Sequence, residues 1–142
     1  MRNIKGFTLV ELVIVIVIIG ILTVVAISIY KENTKKAIET EANTLLGSIQ
    51  IAEKIYYAEH FEFFEGNFTA PNNGYSSDLD IDARSNKYFK GFSITKEAGT
   101  DESGAGFKAV IEGGAKGAAK GIKKTLEYYL NNEHSLTNEG VK

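Results

Sequence analysis

A single acidic residue, Glu11, stands inside an otherwise uncharged run of 24 residues from Phe7 to Tyr30. A carboxylate costs about 2.5 to 3.5 kcal/mol at the centre of a membrane and less near its surface, so it usually has a partner of opposite charge. A cut between Gly6 and Phe7 would supply one, because it would place a new α-amino group four residues before Glu11. The pattern indicates that Glu11 forms an ion pair. The alternative is that its side chain reaches water at the level of the lipid headgroups.

A second acidic pattern lies at Asp78, Asp80 and Asp82, which alternate as DLDID and match the first ligand positions of a calcium loop. An EF-hand would continue with Gly and Glu, where this chain has Ala83 and Phe89. Two interpretations remain: a calcium site in the head, or the solvent face of a short extended segment. The two mismatched positions favour the second.

The sequence of 142 residues contains no other residue pattern that is typical of a catalytic or metal site. The absence of cysteine excludes disulfides, thiol nucleophiles and cysteine-ligated zinc, and no ligand cluster surrounds His60 or His134. A net charge of -2 and a pI of about 5.7 give no general argument for nucleic acid. A modest basic patch is interpreted as solvated loop lysines rather than a DNA contact. It comprises Lys116, Lys120, Lys123 and Lys124. We predict no enzyme activity, no cofactor and no nucleic-acid partner.

The element that must position Glu11 is a helix of bilayer length. Residues 7–30 would measure about 36 Å at roughly 1.5 Å per residue, against a hydrocarbon core of about 30 Å. Fifteen of these 24 residues are Val, Ile or Thr, which in water favour a strand. Strands, however, rarely exceed about 10 residues, and an isolated strand in lipid leaves its backbone groups unsatisfied. We therefore predict a transmembrane helix over residues 7–30.

The residues before this helix form a basic leader, residues 1–6, with Arg2 and Lys5 and no acid. A cleavable secretory signal has a shorter apolar region, about 7 to 15 residues, and is cut after that region. The leader is therefore consistent either with cleavage directly after it, at Gly6, or with a membrane anchor that is never cleaved. The lysines within residues 31–36 nearly balance its charge, and we favour a cytoplasmic N-terminus.

One motif resembles a known processing signal. It reads KGFTLVEL over residues 5–12, and together with the apolar helix after it, it is similar to the class III signal of type IV prepilins and of the pseudopilins of type II secretion. The resemblance implies that a prepilin peptidase cuts after Gly6 and N-methylates Phe7, and that Glu11 pairs with the N-terminus of a neighbouring subunit. It also implies a single-pass precursor in the inner (cytoplasmic) membrane, a pilus assembly platform there as partner, and an extracellular filament of identical or related pilins.

The resemblance extends to Gly20. This residue matches the glycine around which pilin helices commonly lose regular hydrogen bonding inside filaments. Many pilins have a proline further along, where this chain has Ser28. Gly20 is therefore kept as a candidate position of helix irregularity, and the extent of any melted segment stays open.

The helix is predicted to continue over residues 31–60 as an amphipathic segment, because no proline occurs there and Gly47 is its only glycine. One apolar stripe runs along it at spacings of three and four. The stripe consists of Ile38, Ala42, Leu45, Ile49, Ala52 and Tyr56. An aromatic cluster at the helix end is interpreted as packing between helix and head. It comprises Tyr56, Tyr57, Phe61, Phe63 and Phe64.

Residues 61–142 are predicted to form a head, with an αβ-loop over 61–87 and an antiparallel sheet over 88–130. Three strand candidates show apolar alternation. They are residues 88–96, 106–112 and 122–130, joined by glycine-rich segments at 99–106 and 113–121. Their apolar faces need a partner, and the helix stripe supplies it. The predicted fold class is α+β and type IV pilin-like: one very long N-terminal α-helix, about 7–60, packed by its distal half on a sheet of three to four strands.

These predictions converge on a structural subunit of a type IV pilus-like filament. Two alternatives remain. A pseudopilin of a type II secretion system would share the same processing signal. A membrane-tethered binding domain that does not polymerise would keep an N-terminus at Met1 and form no filaments.

Overall fold

The computed structural model describes residues 6–69, 74–99, 104–114, 119, 121–130 and 135–139. Within them the chain has one helix, α1, which runs Leu9–His60. The predicted long helix is thereby confirmed, with its start at Leu9. The leader before Gly6, the residues between the predicted hairpin strands at 100–103 and 115–118, and His134 lie outside these ranges. The chain divides into two compact units, Met1–Lys36 and Ala37–Lys142.

In the first unit, the apolar part of α1 is exposed along its whole length. The large apolar side chains from Leu9 to Ile29 are 42% to 78% exposed. By length and composition, α1 is the one described helix that qualifies as a membrane span. Its polar side chains are satisfied internally, since the hydroxyls of Thr23 and Ser28 donate to backbone carbonyls one turn earlier, at 2.7 and 3.3 Å. The segment can thus enter lipid without unpaired hydroxyl groups.

In the second unit, the described residues form seven strands. They are β1 Gly66–Asn67, β2 Tyr75–Ser76, β3 Ile81–Asp82, β4 Phe92–Glu97, β5 Gly106–Glu112, β6 Lys123–Tyr129 and β7 Ser135–Glu139. Five of them form one antiparallel sheet in the order β1, β4, β5, β6, β7, and β2 pairs with β3 in a separate hairpin. The predicted strands correspond to β4, β5 and β6. Strand β7 is the fourth of the longer strands, and the two-residue β1 extends the edge.

The register of the sheet follows its buried face. Ile94, Ala109 and Leu126 are aligned across β4, β5 and β6, and each is at most 1% exposed. A slip of one residue would turn this row to the opposite face, so the apolar alternation fixes the pairing.

The distal half of α1 contributes to the same core, as the apolar stripe predicted. Ile38, Ala42, Leu45 and Ile49 are buried, whereas Ala52 and Tyr56 are partly buried against the cluster. Two further buried positions on the helix widen the stripe, Leu46 and Glu53. An α+β fold with a helix packed on an antiparallel sheet is therefore confirmed.

A second link between helix and head is polar. The carboxylate of Glu41 accepts hydrogen bonds from three consecutive backbone N–H groups, those of Lys87 at 3.0 Å, Tyr88 at 2.6 Å and Phe89 at 2.8 Å. These donors lie between β3 and β4, where no strand partner takes them up. Glu41 thus fixes the chain segment that leads into β4 against the helix.

Removal of this carboxylate should destabilise the head. Because hydrogen bonds to a charged group contribute about 1.5 to 3 kcal/mol each and these donors are partly accessible to water, we expect Glu41→Ala to lower the free energy of unfolding by about 2 to 4 kcal/mol. Denaturant titration of the full chain in detergent, followed by circular dichroism, measures this loss. Glu39→Ala, on the same helix but without these bonds, is the control; equal losses in both variants would contradict the assignment.

Two predictions about side chains in the head are wrong. Phe61 is 82% exposed and does not join the aromatic cluster. It directly follows α1 in the left-handed region, at φ 59°, a position more often taken by glycine, and there its side chain points outward. Lys124 is no solvated loop lysine, because it lies in β6 opposite Ile111 on the core face and is 3% exposed. Its ammonium donates to Asn43 Oδ1 at 3.4 Å. Lys116 and Lys120 lie outside the described residues.

Candidate functional site

The candidate site begins where α1 begins. The Oε2 atom of Glu11 accepts hydrogen bonds from the backbone N–H and the hydroxyl of Thr8, both at 2.8 Å. In return, Thr8 Oγ1 accepts the backbone N–H of Glu11 at 3.2 Å. This reciprocal arrangement is a capping box, which satisfies N–H groups that a helix start leaves unpaired. The Glu11 carboxylate is therefore directed back toward the chain segment that precedes the helix.

Thr8 is the residue of this site that the sequence reasoning missed. The signal was present, since Thr8-Leu9-Val10-Glu11 follows the pattern of Ser or Thr, two intervening residues and an acid that marks a helix N-terminus. The cap gives Glu11 a partner within its own chain, in addition to any amine that a cut would create.

Gly6 and Phe7 lie next to this cap and are exposed, with Phe7 at 74%. A Cβ atom added to Gly6 would meet nothing within 4 Å. Among the described residues, no contact therefore requires glycine at position 6.

Gly20 lies within α1, and the helix is regular on both sides of it. A Cβ atom there would also meet nothing within 4 Å. Glycine inside a helix costs about 1 kcal/mol relative to alanine, and no packing contact among the described residues offsets that cost.

The three aspartates of the DLDID pattern are not gathered into a ligand set. Asp78 and Asp80 lie in the turn between β2 and β3, and Asp82 lies in β3. Arg84 donates to both carboxylate oxygens of Asp82, at 2.9 and 2.6 Å, and these hydrogen bonds lower the pKa of Asp82 to about 2. Across the described ranges, no group of three or more His, Cys, Asp or Glu residues could hold a metal ion. The residues form a hairpin, not the single extended segment that we predicted.

A buried carboxylate lies where α1 approaches its end. Glu53 is fully buried, and its Oε2 accepts the backbone N–H of Phe64 at 2.9 Å. Its Oε1 has no hydrogen-bond partner among the described residues. Burial raises the pKa of Glu53 to about 7, although the Phe64 N–H and the Lys96 ammonium favour the charged form. The sequence offered a weak signal, an acid four residues after Ile49 beside the apolar stripe.

Comparison with known proteins points to one family. The prokaryotic N-terminal methylation motif matches residues 1–27. The type IV major pilin protein PilE1 of Neisseria gonorrhoeae is 33% identical over 122 residues, which cover 86% of this chain and 67% of that protein. A fimbrial protein of Neisseria meningitidis serogroup A is 43% identical over 77 residues, 54% of this chain. The type IV major pilin protein PilA of Myxococcus xanthus is 41% identical over 58 residues, 41% of this chain and 26% of that protein.

The matches differ in extent. The aligned part of this chain spans 44% of the meningococcal fimbrial protein. No solved structure matches the chain significantly. The gonococcal alignment, by contrast, reaches from the methylation motif into the head. On the strength of that alignment and of the α+β fold with its long N-terminal helix, the chain belongs to the type IV pilin family.

Proposed function

We propose that this protein is the structural subunit of a type IV pilus-like filament. It is made as a single-pass precursor in the inner (cytoplasmic) membrane with its N-terminus in the cytoplasm. A prepilin peptidase cuts it after Gly6 and N-methylates Phe7. An assembly platform in the same membrane then adds it to an extracellular filament of identical or related pilins. The role is structural rather than enzymatic.

The observation that carries this proposal is the start of α1. The Glu11 carboxylate is directed toward the residues before the helix by its bonds to Thr8, and a cut after Gly6 would create an amine within that segment. The apolar surface that follows is exposed over residues 9–30. Such a surface needs either lipid or other helices around it, and a filament core of α1 helices provides the second.

The names of the relatives favour a pilus over the pseudopilin alternative, because they are fimbrial proteins and type IV major pilins. The tethered-domain alternative leaves two features without a role. One is Gly6, for which the described residues show no steric need. The other is the negative charge of Glu11, because the capping box with Thr8 needs an acceptor at position 11 but not a charged one.

The deciding measurement is the intact mass and N-terminal sequence of the mature protein from its host. We expect a chain that begins at N-methylated Phe7 and that is recovered in sheared extracellular filaments. A mature chain that begins at Met1, with no filaments, would overturn the proposal in favour of the tethered domain.

Substitution of the residue before the cut should block processing. Since a peptidase must approach the backbone closely at Gly6, a branched side chain there is expected to prevent cleavage, and Gly6→Val should leave essentially all of the protein as membrane-bound precursor. Mass spectrometry of the membrane fraction measures the ratio of precursor to mature chain. Gly20→Ala, a second glycine with open space around it, should be cut normally. Normal cleavage of Gly6→Val would contradict the assigned site.

A further inference from the structure

The second unit carries an open groove between α1 and the β2–β3 hairpin. Its volume is about 420 Å³. Four large aliphatic side chains line it, Ile51 and Ile55 of the helix and Leu79 and Ile81 of the hairpin. The two helix residues are one turn apart and are 62% and 57% exposed. This apolar surface has no cover within the described residues.

Acidic side chains also line the groove. Glu59, Asp78 and Asp80 line it, and none of the three makes an ion pair within the part of the chain that the structure describes. A groove lined by both apolar side chains and carboxylates is complementary to a lysine side chain, whose methylene stem packs on apolar surface while its ammonium reaches the charge. The groove therefore selects a lysine-bearing surface rather than a purely apolar one.

The chain carries a matching surface at Lys31 and Lys35. Both are exposed on α1 in the first unit, one turn apart, which is the spacing of Ile51 and Ile55. Neither has an ion-pair partner among the described residues. Several head lysines are already engaged: Lys96 with Glu62, Lys108 with Glu127 and Lys123 with Glu112 by charge, and Lys54 and Lys87 over tyrosine rings.

We propose that the groove of one subunit binds the Lys31–Lys35 turn of α1 of a second copy of this chain. The lysine stems lie along Ile51 and Ile55, and the ammonium groups face Glu59, Asp78 and Asp80. This inference rests on the proposed function, because it assigns a subunit contact within the filament. It makes the charge pattern of the head, and not only the apolar helix, a determinant of how neighbouring subunits align.

A charge swap tests the contact in the full chain expressed in its host. We expect the pair Lys31→Glu and Lys35→Glu to lower the yield of sheared filaments at least fivefold, and the pair Glu59→Lys and Asp78→Lys to do the same. The chain with all four substitutions should recover at least half of the wild-type yield. Asp80 is left unchanged because it adopts φ 50°, a conformation that aspartate tolerates better than lysine.

Controls separate this contact from general charge effects. Glu65→Lys with Glu97→Lys raises the net charge by the same amount as the Glu59→Lys and Asp78→Lys pair, but outside the groove, and should leave the yield within twofold of wild type. Normal filament yield from either charge-reversed pair, or no recovery in the variant with all four substitutions, would overturn the contact. The second result would assign the lysines to another partner, such as lipid phosphates. A wild-type chain that forms no filaments would instead contradict the proposed function itself.

Disulfide formation gives a second readout that does not depend on charge reversal. The chain has no native cysteine, so Lys35→Cys combined with Ser48→Cys, which lies at the groove, should give a ladder of linked subunits from filaments on a non-reducing gel. Lys35→Cys combined with Thr95→Cys on β4 should give none. A ladder from the control pair alone would place the lysines elsewhere and refute the contact.

Discussion

Glu11→Val should lower the yield of assembled filaments at least tenfold while cleavage after Gly6 stays normal. The substitution removes the one charge from the apolar run of residues 7–30, so the amine created at Phe7 would enter the filament core without a partner. An unpaired charge in a medium of low dielectric is costly. Assembly, rather than processing or membrane insertion, is therefore the step that should fail.

The capping box adds a control that the charge argument alone would not supply. Glu11→Gln keeps a side chain that can accept hydrogen bonds from Thr8 but removes the charge, whereas Thr8→Val removes the cap and keeps the charge. Loss of an N-cap costs about 1 kcal/mol of helix stability. If Glu11 acts through its charge, Glu11→Gln should assemble as poorly as Glu11→Val, and Thr8→Val should assemble close to normally.

Quantitative immunoblots of sheared filaments and of membranes, with the N-terminus of each pool sequenced, distinguish these outcomes. Filaments at wild-type yield from Glu11→Val would remove Glu11 from its assigned role. Poor assembly of Thr8→Val together with good assembly of Glu11→Gln would mean that Glu11 serves the helix start and not the subunit contact.

The features of this fold that depend on neighbouring residues could be predicted from the sequence. The long helix follows from an apolar run too long for a strand and from a stripe with helical spacing. Strands β4 to β6 follow from alternation of apolar residues and from glycine-rich segments between them. The KGFTLVEL motif is likewise local, and it identified the processing signal that the methylation-motif match supports.

The features that the sequence did not predict depend on contacts between distant segments. Glu41 meets its three donors 46 to 48 positions along the chain, and no local spacing indicates that pairing. Lys124 lies within the predicted strand and in phase with Ile122 and Leu126, so alternation alone indicates the core face; only its partners there, Ile111 and Asn43, depend on distant segments. The hairpin of β2 and β3 has strands of two residues each, which are too short to show alternation.

Glu53 should make the stability of the head fall as the pH rises. Its carboxyl is fully buried with one oxygen unpaired, and its pKa is raised from 4.5 to about 7. Below pH 4.5 the group is protonated in both the folded and the unfolded chain. Between 4.5 and about 7 the unfolded chain releases its proton first, so stability falls, and above this range the loss is complete. At about 1.4 kcal/mol per pKa unit, the loss is about 3 kcal/mol.

Glu53→Gln isolates this effect, because glutamine can still accept the Phe64 N–H and does not ionise. We expect the variant to be about 2 to 3 kcal/mol more stable than wild type at pH 8, with that advantage gone at pH 4.5. Denaturant titration of the full chain in detergent at several pH values, followed by circular dichroism, gives the difference. Asp82, with its lowered pKa, acts in the opposite direction, since its contribution is lost as the pH falls. It is common to both proteins and cancels in the comparison.

The exposed Glu59, changed to glutamine, is the control and should leave the wild-type pH profile intact. Parallel profiles of stability against pH for wild type and Glu53→Gln would show that Glu53 is not the group whose ionisation weakens the head.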